Sequence, residues 1–327
     1  MFDLSASRVV LVITGPTAVG KTEVAIEIAR RVPSVLISMD SALVYRDMNI
    51  GTAKPSPEVL EAYPHALVNI RDPAEPYSAA DFVRDADALV GEAREAARLP
   101  ILVGGAMLYL RAFRSGLAEL PQADADVRAA IAREAKALGW AALHRQLAEV
   151  DPQAAANIHP NNPQRLQRAL EVHQITGRPI SAFWAEQSEA TFGSRLGGEL
   201  CVAGIVPDDR SHLQERIGER FAQMLEQGLI AEVRALKKRG DLNLELPSMR
   251  AVGYRQVWEC LEGVFAESQL AERGAAATRQ LAKRQLTWLR GWPWVKTFVW
   301  GDAPALALAI IQYIEDNQAQ CGRLEIS

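Results

Sequence analysis

The apolar run Val9-Val10-Leu11-Val12-Ile13 leads into Gly15-Pro16-Thr17-Ala18-Val19-Gly20-Lys21-Thr22, and Glu23-Val24-Ala25-Ile26-Glu27-Ile28-Ala29 follows. No other feature constrains the fold as tightly. It reads as a buried strand, a phosphate-cradling loop and a helix, with the spacing G-x-x-x-x-G-K-[ST]. Gly15 and Gly20 let the backbone turn and approach an anion closely. Successive amides form an anion nest, and the next helix adds its unpaired N–H groups and positive dipole end. Lys21 supplies a point charge and Thr22 an oxygen for magnesium. A plain surface turn is the alternative, disfavoured by the strand before and the helix after. The loop alone leaves open whether the ligand is a nucleotide.

At 327 residues the chain can bury a large core and is expected to hold more than one domain. Its 49% hydrophobic and 23% charged content suits a soluble globular protein. The three cysteines, Cys201, Cys260 and Cys321, lack metal spacing, and their odd number argues against a disulfide framework. No basic segment followed by an apolar core opens the sequence, and no apolar stretch reaches the length of a membrane span. A cytoplasmic protein is expected. The net charge of −4 argues against a dominant nucleic-acid-binding surface. Residues 273–301, however, hold no acidic group and carry Arg273, Arg279, Lys283, Arg284, Arg290 and Lys296.

The first hundred residues alternate strand and helix. Residues 35–40 read as a second strand ending in Asp40, 78–99 as a helix capped by Ser78 or Asp81, and 100–105 as a strand ending in Gly104-Gly105. Such alternation implies parallel strands covered by helices, with ligands at the carboxyl strand ends. The phosphate loop, Asp40 and Gly104-Gly105 should therefore share one crevice. Helical pieces at 124–138, 140–150, 151–157 and 163–176 read as an insertion, and 187–198 as a loop. A strand returns at 200–205, followed by helices at 208–227, 229–239, 248–261 and 268–290, and a last strand at 295–300. The expected fold class is α/β, a parallel sheet of the P-loop NTPase type flanked by helices, with an all-helical insertion domain. The expected domains are a core of residues 1–120 and 190–327 and an insertion of 121–189.

Beyond the loop, an aspartate at the end of the second strand can hold magnesium, accept a proton, or simply cap a turn. Position favours a functional role for Asp40. Lys54, in Gly51-Thr52-Ala53-Lys54-Pro55, reads as a solvated loop lysine. Gly104-Gly105 serves either ligand approach or packing. Arg216 and Arg220 share a helix face, and with Asp208, Asp209, Glu215 and Glu219 nearby the sequence alone favours a surface salt-bridge ladder. Lys283, Arg284 and Arg290, interleaved with an inward-packing Trp288, are a nucleic-acid signal. The clusters Gln164-Arg165-Leu166-Gln167-Arg168 and Arg250-Ala251-Val252-Gly253-Tyr254-Arg255 add to it, though each alone suits a solvated helix face.

Taken in order, these segments resemble the tRNA dimethylallyltransferase family over nearly the whole chain. The marks are the loop at 15–22, Asp40-Ser41-Ala42-Leu43-Val44-Tyr45, the 51–55 turn, Gly104-Gly105-Ala106-Met107-Leu108-Tyr109, Ile158-His159-Pro160-Asn161-Asn162-Pro163-Gln164-Arg165, Val252-Gly253-Tyr254-Arg255-Gln256 and residues 279–285. The resemblance implies a magnesium-dependent prenyltransferase acting on tRNA. The loop would hold dimethylallyl diphosphate rather than ATP, with Lys21 and Arg220 on the diphosphate and Thr22 on the leaving oxygen and the metal. Asp40 would take the proton from N6 of adenosine 37 beside the anticodon, giving N6-(dimethylallyl)adenosine. The resemblance further implies tRNA contacts from Asp40, Ser41, Ala42, Leu43, Ala106, Arg128, Gln164–Arg168, Arg250–Arg255, Lys283, Arg284, Gln285 and Arg290. The insertion would lie against the anticodon stem, and a monomer without membrane partners is implied.

Two positions depart from the family pattern. Ala106 stands where threonine is usual, which removes a hydroxyl near the target nucleotide. Asn162 stands where aspartate is common. Three rivals remain: a kinase using the loop for ATP, an enzyme prenylating free adenine nucleotides, and a non-catalytic RNA-binding protein. The helical insertion and basic segments favour a macromolecular acceptor, and the intact Gly15, Gly20, Lys21, Thr22 and Asp40 favour catalysis.

Overall fold

The computed structural model describes residues 8–118, 120–186 and 191–324, with backbone alone described for 318–324. The chain divides into two compact units, one of Met1–Arg114 and Arg195–Ser327, the other of Ser115–Ser194.

The larger unit holds strands β1 (Val9–Thr14), β2 (Ser34–Ser38), β3 (His65–Ala66), β4 (Leu99–Gly104), β5 (Glu199–Val206) and β6 (Lys296–Val299) in one sheet. All pairings are parallel, in the order β3-β2-β4-β1-β5-β6. Every residue of β1 and β4 is buried, which is why both read as unbroken apolar runs rather than alternating ones. The register sets Thr14 beside both Gly104 and Gly204, so the exits of the central strands are level. β3 has only two residues, too few to show a periodicity in sequence.

Helices follow in chain order. α1 (Lys21–Ala29), α2 (Pro57–Ala62), α3 (Ala79–Glu95) and α4 (Met107–Ser115) precede the smaller unit. Of the two cap candidates the sequence offers, Ser78 holds the position, and Asp81 completes a capping box with it. In the smaller unit α5 (Ala125–Leu138), α6 (Trp140–Val150), α7 (Pro152–Asn157), α8 (Pro163–Thr176) and α9 (Ile180–Ala185) enclose a core of their own, including Leu143, Leu147, Leu166 and Val172. No strand occurs there among the described residues.

The segment read as a loop at 187–198 holds a short helix, α10 (Phe192–Leu196), while 187–190 lie outside the described residues. The chain then continues through α11 (Arg210–Glu226), α12 (Leu229–Lys238), α13 (Tyr254–Leu261), α14 (Leu270–Arg290) and α15 (Ala303–Leu324). The helix expected over 248–261 begins only at Tyr254. Gly253 sits at φ 95°, and the buried Ser248 hydroxyl donates to Pro73 O at 2.6 Å, so this stretch is a tethered turn. α1, α14 and α15 pack on the sheet through residues such as Val24, Ile28, Leu286, Ile310 and Ile314. Among the described residues no helix is long and apolar enough to cross a membrane.

Candidate active site

β1 ends in a loop whose backbone is bent as an anion nest requires. Ala18 has φ 71° and Gly20 has φ 77°, left-handed values that a β-branched residue would resist. A side chain at Gly15 would meet Ile205 O at 2.4 Å, so glycine is what lets the loop pass the end of β5. Gly20 caps α1 with no side-chain bond, which leaves the first-turn amides of α1 turned toward the loop.

Lys21 opens α1 and folds back, its Nζ donating to Pro16 O at 2.7 Å. Burial pushes its ammonium down to about 8; Asp40 acts against this, and Arg220 adds to it. Arg220, on α11, is likewise lowered chiefly by burial, with Glu23 and Asp40 opposing and Arg216 reinforcing. Its guanidinium makes no hydrogen bond or ion pair among the described residues. The surface ladder favoured by the sequence alone is therefore overturned: Arg216 lies 5.0 Å from the Trp300 ring centroid, and Arg220 lines the cleft. Two partly buried cations, faced by Asp40 and Glu23 but bonded to neither, form a site that would accept an anion.

Asp40 follows β2. Its Oδ1 accepts from Ala42 N at 2.8 Å and Leu43 N at 3.3 Å, which fixes the carboxylate by a local turn. Its charge acts on both Lys21 and Arg220. Thr22 is partly buried in the same space.

The glycine pair at the end of β4 explains how these parts meet. A side chain at Gly104 would lie 1.9 Å from Met39 O, and one at Gly105 would lie 2.4 Å from Gln285 Nε2 and 3.2 Å from Gly15 O. The pair serves packing, bringing the ends of β1, β2 and β4 together. Ala106 N completes the junction by donating to Met39 O at 3.2 Å.

Two adjoining spaces result. One, of about 520 Å³, is walled by apolar side chains that include Ile217, Phe221, Met224 and Leu281. The other, of about 650 Å³, is lined by Gly20, Thr22, Glu23, Gly104 and Arg216. Thr17, Ala18, Lys21, Asp40, Thr52 and Arg220 line both, so the charged groups stand at the junction of a polar and an apolar compartment.

Several residues grouped as RNA contacts have other surroundings. Gln285 is buried and uses both ends of its amide inside the protein, accepting from Thr17 N at 2.8 Å and donating to Gly105 O at 2.9 Å. Tyr254 is fully buried, and its hydroxyl donates to Glu232. Leu166 is a core residue of the smaller unit. Tyr254 and Leu166 keep their side chains inside the protein, and Gln285, at the wall of the apolar compartment, spends both ends of its amide on the protein. Arg250, Ala251 and Val252 line the apolar compartment, as do Ala42, Ala106, Arg284 and a partly buried Trp288. Gly253 is buried, Leu43 is partly buried beside the polar compartment, and Ser41, Arg255, Lys283 and Arg290 are exposed.

In the smaller unit, Gln164 and Arg165 are exposed in the first turn of α8, and Gln167 Nε2 donates to Arg128 O at 3.0 Å. Arg128 and Arg168 pair with Glu171 at 2.9 and 2.7 Å, and that carboxylate is fully buried. Burial pushes Glu171 up, but the hydrogen bonds from Arg168 and Arg128 outweigh it and hold the carboxyl below its usual range. Asn162 caps α8, accepting from Arg165 N at 3.3 Å, so the departure from aspartate keeps the cap.

Sequence reasoning missed two features. Glu232 accepts from the amides of Asn49, Ile50 and Gly51, pinning the loop that carries Thr52. Lys54 is no solvated lysine: Nζ donates to Tyr45 O at 2.8 Å and Asn69 Oδ1 at 2.5 Å, and burial pushes it down to about 8. Glu232 reaches a loop more than 180 residues away, and Lys54 bonds to partners 9 and 15 residues away outside its own turn, so no pattern within the turn announces either.

The parallel sheet, the nest after β1 and the charged cleft at the carboxyl edge define an α/β protein of the phosphate-loop kind. A sequence model described as IPP transferase matches residues 43–292. A protein from Hahella chejuensis named tRNA dimethylallyltransferase 2 is 49% identical, covering 99% of this chain and all of the relative. Among solved structures, a full-length tRNA isopentenylpyrophosphate transferase from Bacillus halodurans aligns at 36% identity with a TM-score of 0.71, covering 98% of this chain and 100% of that one. A eukaryotic dimethylallyltransferase described as acting on tRNA aligns at 25% identity and a TM-score of 0.73, over 90% of this chain and 75% of its own. The chain belongs to the IPP transferase family.

Proposed function

We propose that this protein transfers a dimethylallyl group from dimethylallyl diphosphate to N6 of adenosine 37 of tRNA, releasing diphosphate. The observation that carries this is the placement of Lys21, Arg220 and Asp40 at the junction of the two compartments. The diphosphate lies in the polar compartment against the loop amides, Lys21 and Arg220, while the allyl group and adenine occupy the apolar one. N6 attacks the allylic carbon, the carbon–oxygen bond breaks, and the bonding pair leaves on the diphosphate. Asp40 takes the proton that N6 sheds. An exocyclic amine is a weak nucleophile, so in-line positioning supplies much of the acceleration. The two cations, set in place before the reaction, stabilise charge that grows on the leaving oxygen.

Magnesium fits this donor set. The cleft offers hard oxygen ligands, the Thr22 hydroxyl and the Asp40 carboxylate, and among the described residues no cluster of three His, Cys, Asp or Glu exists to form a protein cage. One or two protein oxygens plus phosphate oxygens and water is the usual magnesium arrangement. When bound, the ion neutralises diphosphate charge. Thr22 is the residue we assign to hold it.

The adenine must leave its stack to reach groups at the junction of the two compartments. Ser41, Gln164, Arg165, Lys283, Arg284 and Arg290 are the exposed or cleft-lining groups we assign to the RNA, with the helical unit against the anticodon stem. We assign the reaction to a monomer, and a tRNA acceptor fits a cytoplasmic protein. Labelled dimethylallyl diphosphate, given with magnesium to unmodified tRNA and in parallel to AMP, tests the reading. Label in tRNA at the nucleotide beside the anticodon is expected. Label in AMP alone would move the protein to a free-nucleotide prenyltransferase, and no label in either would overturn the transfer reaction.

A further inference from the structure

Gln285 is the polar side chain of α14 that turns into the protein. Its neighbours Ala282, Leu286 and Leu289 are buried in the core, while Lys283 and Arg284 are exposed. The amide reaches two loops at once, accepting from Thr17 N at 2.8 Å and donating to Gly105 O at 2.9 Å. Those partners lie 268 and 180 residues away in sequence. The two loops also touch each other, with Gly15 O 3.2 Å from the place a side chain on Gly105 would occupy. Thr17 immediately precedes the left-handed Ala18.

We propose that Gln285 is a positioning residue, a clamp that presets the phosphate loop against the Gly105 loop before any diphosphate binds. This rests on the reading of the loop as the diphosphate site. A nest of amides without its anion has little reason to hold one shape, and Ala18 in a left-handed conformation is mildly strained. A neutral amide bonded at both ends selects one shape without adding charge next to the anion. It also spends the Thr17 amide on the protein, which leaves the rest of the nest and the start of α1 for the ligand. Only a side chain that accepts on one side and donates on the other fits both partners. Glutamate is isosteric but puts an acceptor against Gly105 O and a negative charge beside the anion site. Protonated glutamate restores the donor.

The test compares wild type with Gln285→Glu and Gln285→Leu. Affinity for inorganic pyrophosphate is measured by calorimetry in magnesium buffer from pH 8 down to pH 5.5. Affinity for tRNA and backbone amide exchange are measured on the same proteins. Lys21, Asp40, Arg220, Glu23 and Arg284 also line the cleft, so each variant is read as its ratio to wild type at the same pH. Both variants should bind pyrophosphate at least about tenfold more weakly at pH 8, as expected when a buried hydrogen-bonding group is left unpaired. The deficit of Gln285→Glu should shrink as pH falls, because burial raises its carboxyl and protonation restores the donor, while that of Gln285→Leu persists. Amides of residues 17–22 should exchange about tenfold faster in Gln285→Leu, with β1 unchanged. Binding of tRNA should stay within about twofold, because Gln285 is buried.

Pyrophosphate affinity and loop exchange within about twofold of wild type would overturn the clamp. So would a parallel loss of pyrophosphate and tRNA binding with faster exchange in β1, which is the mark of a packing role alone. If wild type itself fails to bind pyrophosphate, the reading of the loop as a diphosphate site falls, and loop exchange in the unliganded proteins still decides the clamp.

Discussion

At the scale of single residues, Asp40 and Lys21 make opposite demands on one cleft. Asp40 is held by its Oδ1 bonds to Ala42 and Leu43, and an asparagine would keep those bonds while losing the base. Asp40→Asn should therefore lower single-turnover transfer by about 10²–10³-fold, the usual contribution of a positioned base, with tRNA affinity unchanged. Turnover near the wild-type rate would remove Asp40 from that role. Lys21 yields a pH dependence. Its ammonium, pushed down to about 8 by burial, is largely charged at neutral pH and neutral above pH 9. Pyrophosphate prefers the charged form, so its affinity should fall toward tenfold per pH unit above about 8. Lys21→Met should bind weakly and lose that slope. Folding carries the reverse sign. Between about 8 and the ordinary lysine value near 10.5 the unfolded chain holds more protons at this site, so the contribution of Lys21 to stability rises with pH across that window.

At the scale of elements, caps and one buried carboxylate decide how segments start and meet. Ala106 C=O accepts from Leu110 N at 3.1 Å, which makes Ala106 the cap position of α4 without a capping side chain. Ala106→Thr should add about 1 kcal/mol, a rise of about 2 °C in melting temperature, and place a hydroxyl at the cleft. An unchanged melting temperature would show that the hydroxyl turns away from the α4 amides. In the smaller unit, Glu171 joins α5 to α8 through Arg128, Arg168 and the Asp124 amide. Glu171→Ala should cost about 3 kcal/mol, the low end for breaking a buried pair, because both arginines keep some contact with water. Thermal denaturation of the full chain checks it, and a loss under about 1 kcal/mol would make the triad peripheral. These elements also mark what the sequence could disclose. The start of α3 near Ser78 and the apolar runs of β1 and β4 are local signals, and they read correctly. A helix is expected from 248 onward, but Gly253 and the Ser248–Pro73 tether act through backbone geometry and a distant partner. Lys54 reads as a solvated loop lysine, yet it bonds to Tyr45 and Asn69, and Gln285, an RNA contact by resemblance, bonds to loops 268 and 180 residues away. Composition gives a residue's chemistry, while its direction is set by neighbours that can lie hundreds of residues away.

At the scale of the whole molecule, a chain of net charge −4 must attract a polyanion through distribution rather than total charge. The structure sorts its arginines into two populations. Arg128, Arg168, Arg250 and Arg255 are engaged with carboxylates, at 2.7 to 3.1 Å. Lys283 and Arg284 are exposed on α14, in a stretch that carries no acidic residue from 273 to 301. An arginine already paired gives up its partner before it gains a phosphate, so its removal changes salt dependence little. An unpaired one releases a counterion outright when it meets the RNA. Lys283→Ala with Arg284→Ala should therefore weaken tRNA binding and reduce the slope of log affinity against log salt by about 1.5, since each phosphate left without its cation is worth about 0.7–0.9. Arg255→Ala should shift that slope by less than about 0.3, since its ion pair to Glu259 already neutralises it. Filter-binding titrations across a range of potassium chloride concentrations measure both. A slope that Lys283→Ala with Arg284→Ala leaves unchanged would move the RNA off the exposed face of α14, and equal changes in the two variants would show that pairing within the free protein does not decide which arginines meet phosphate.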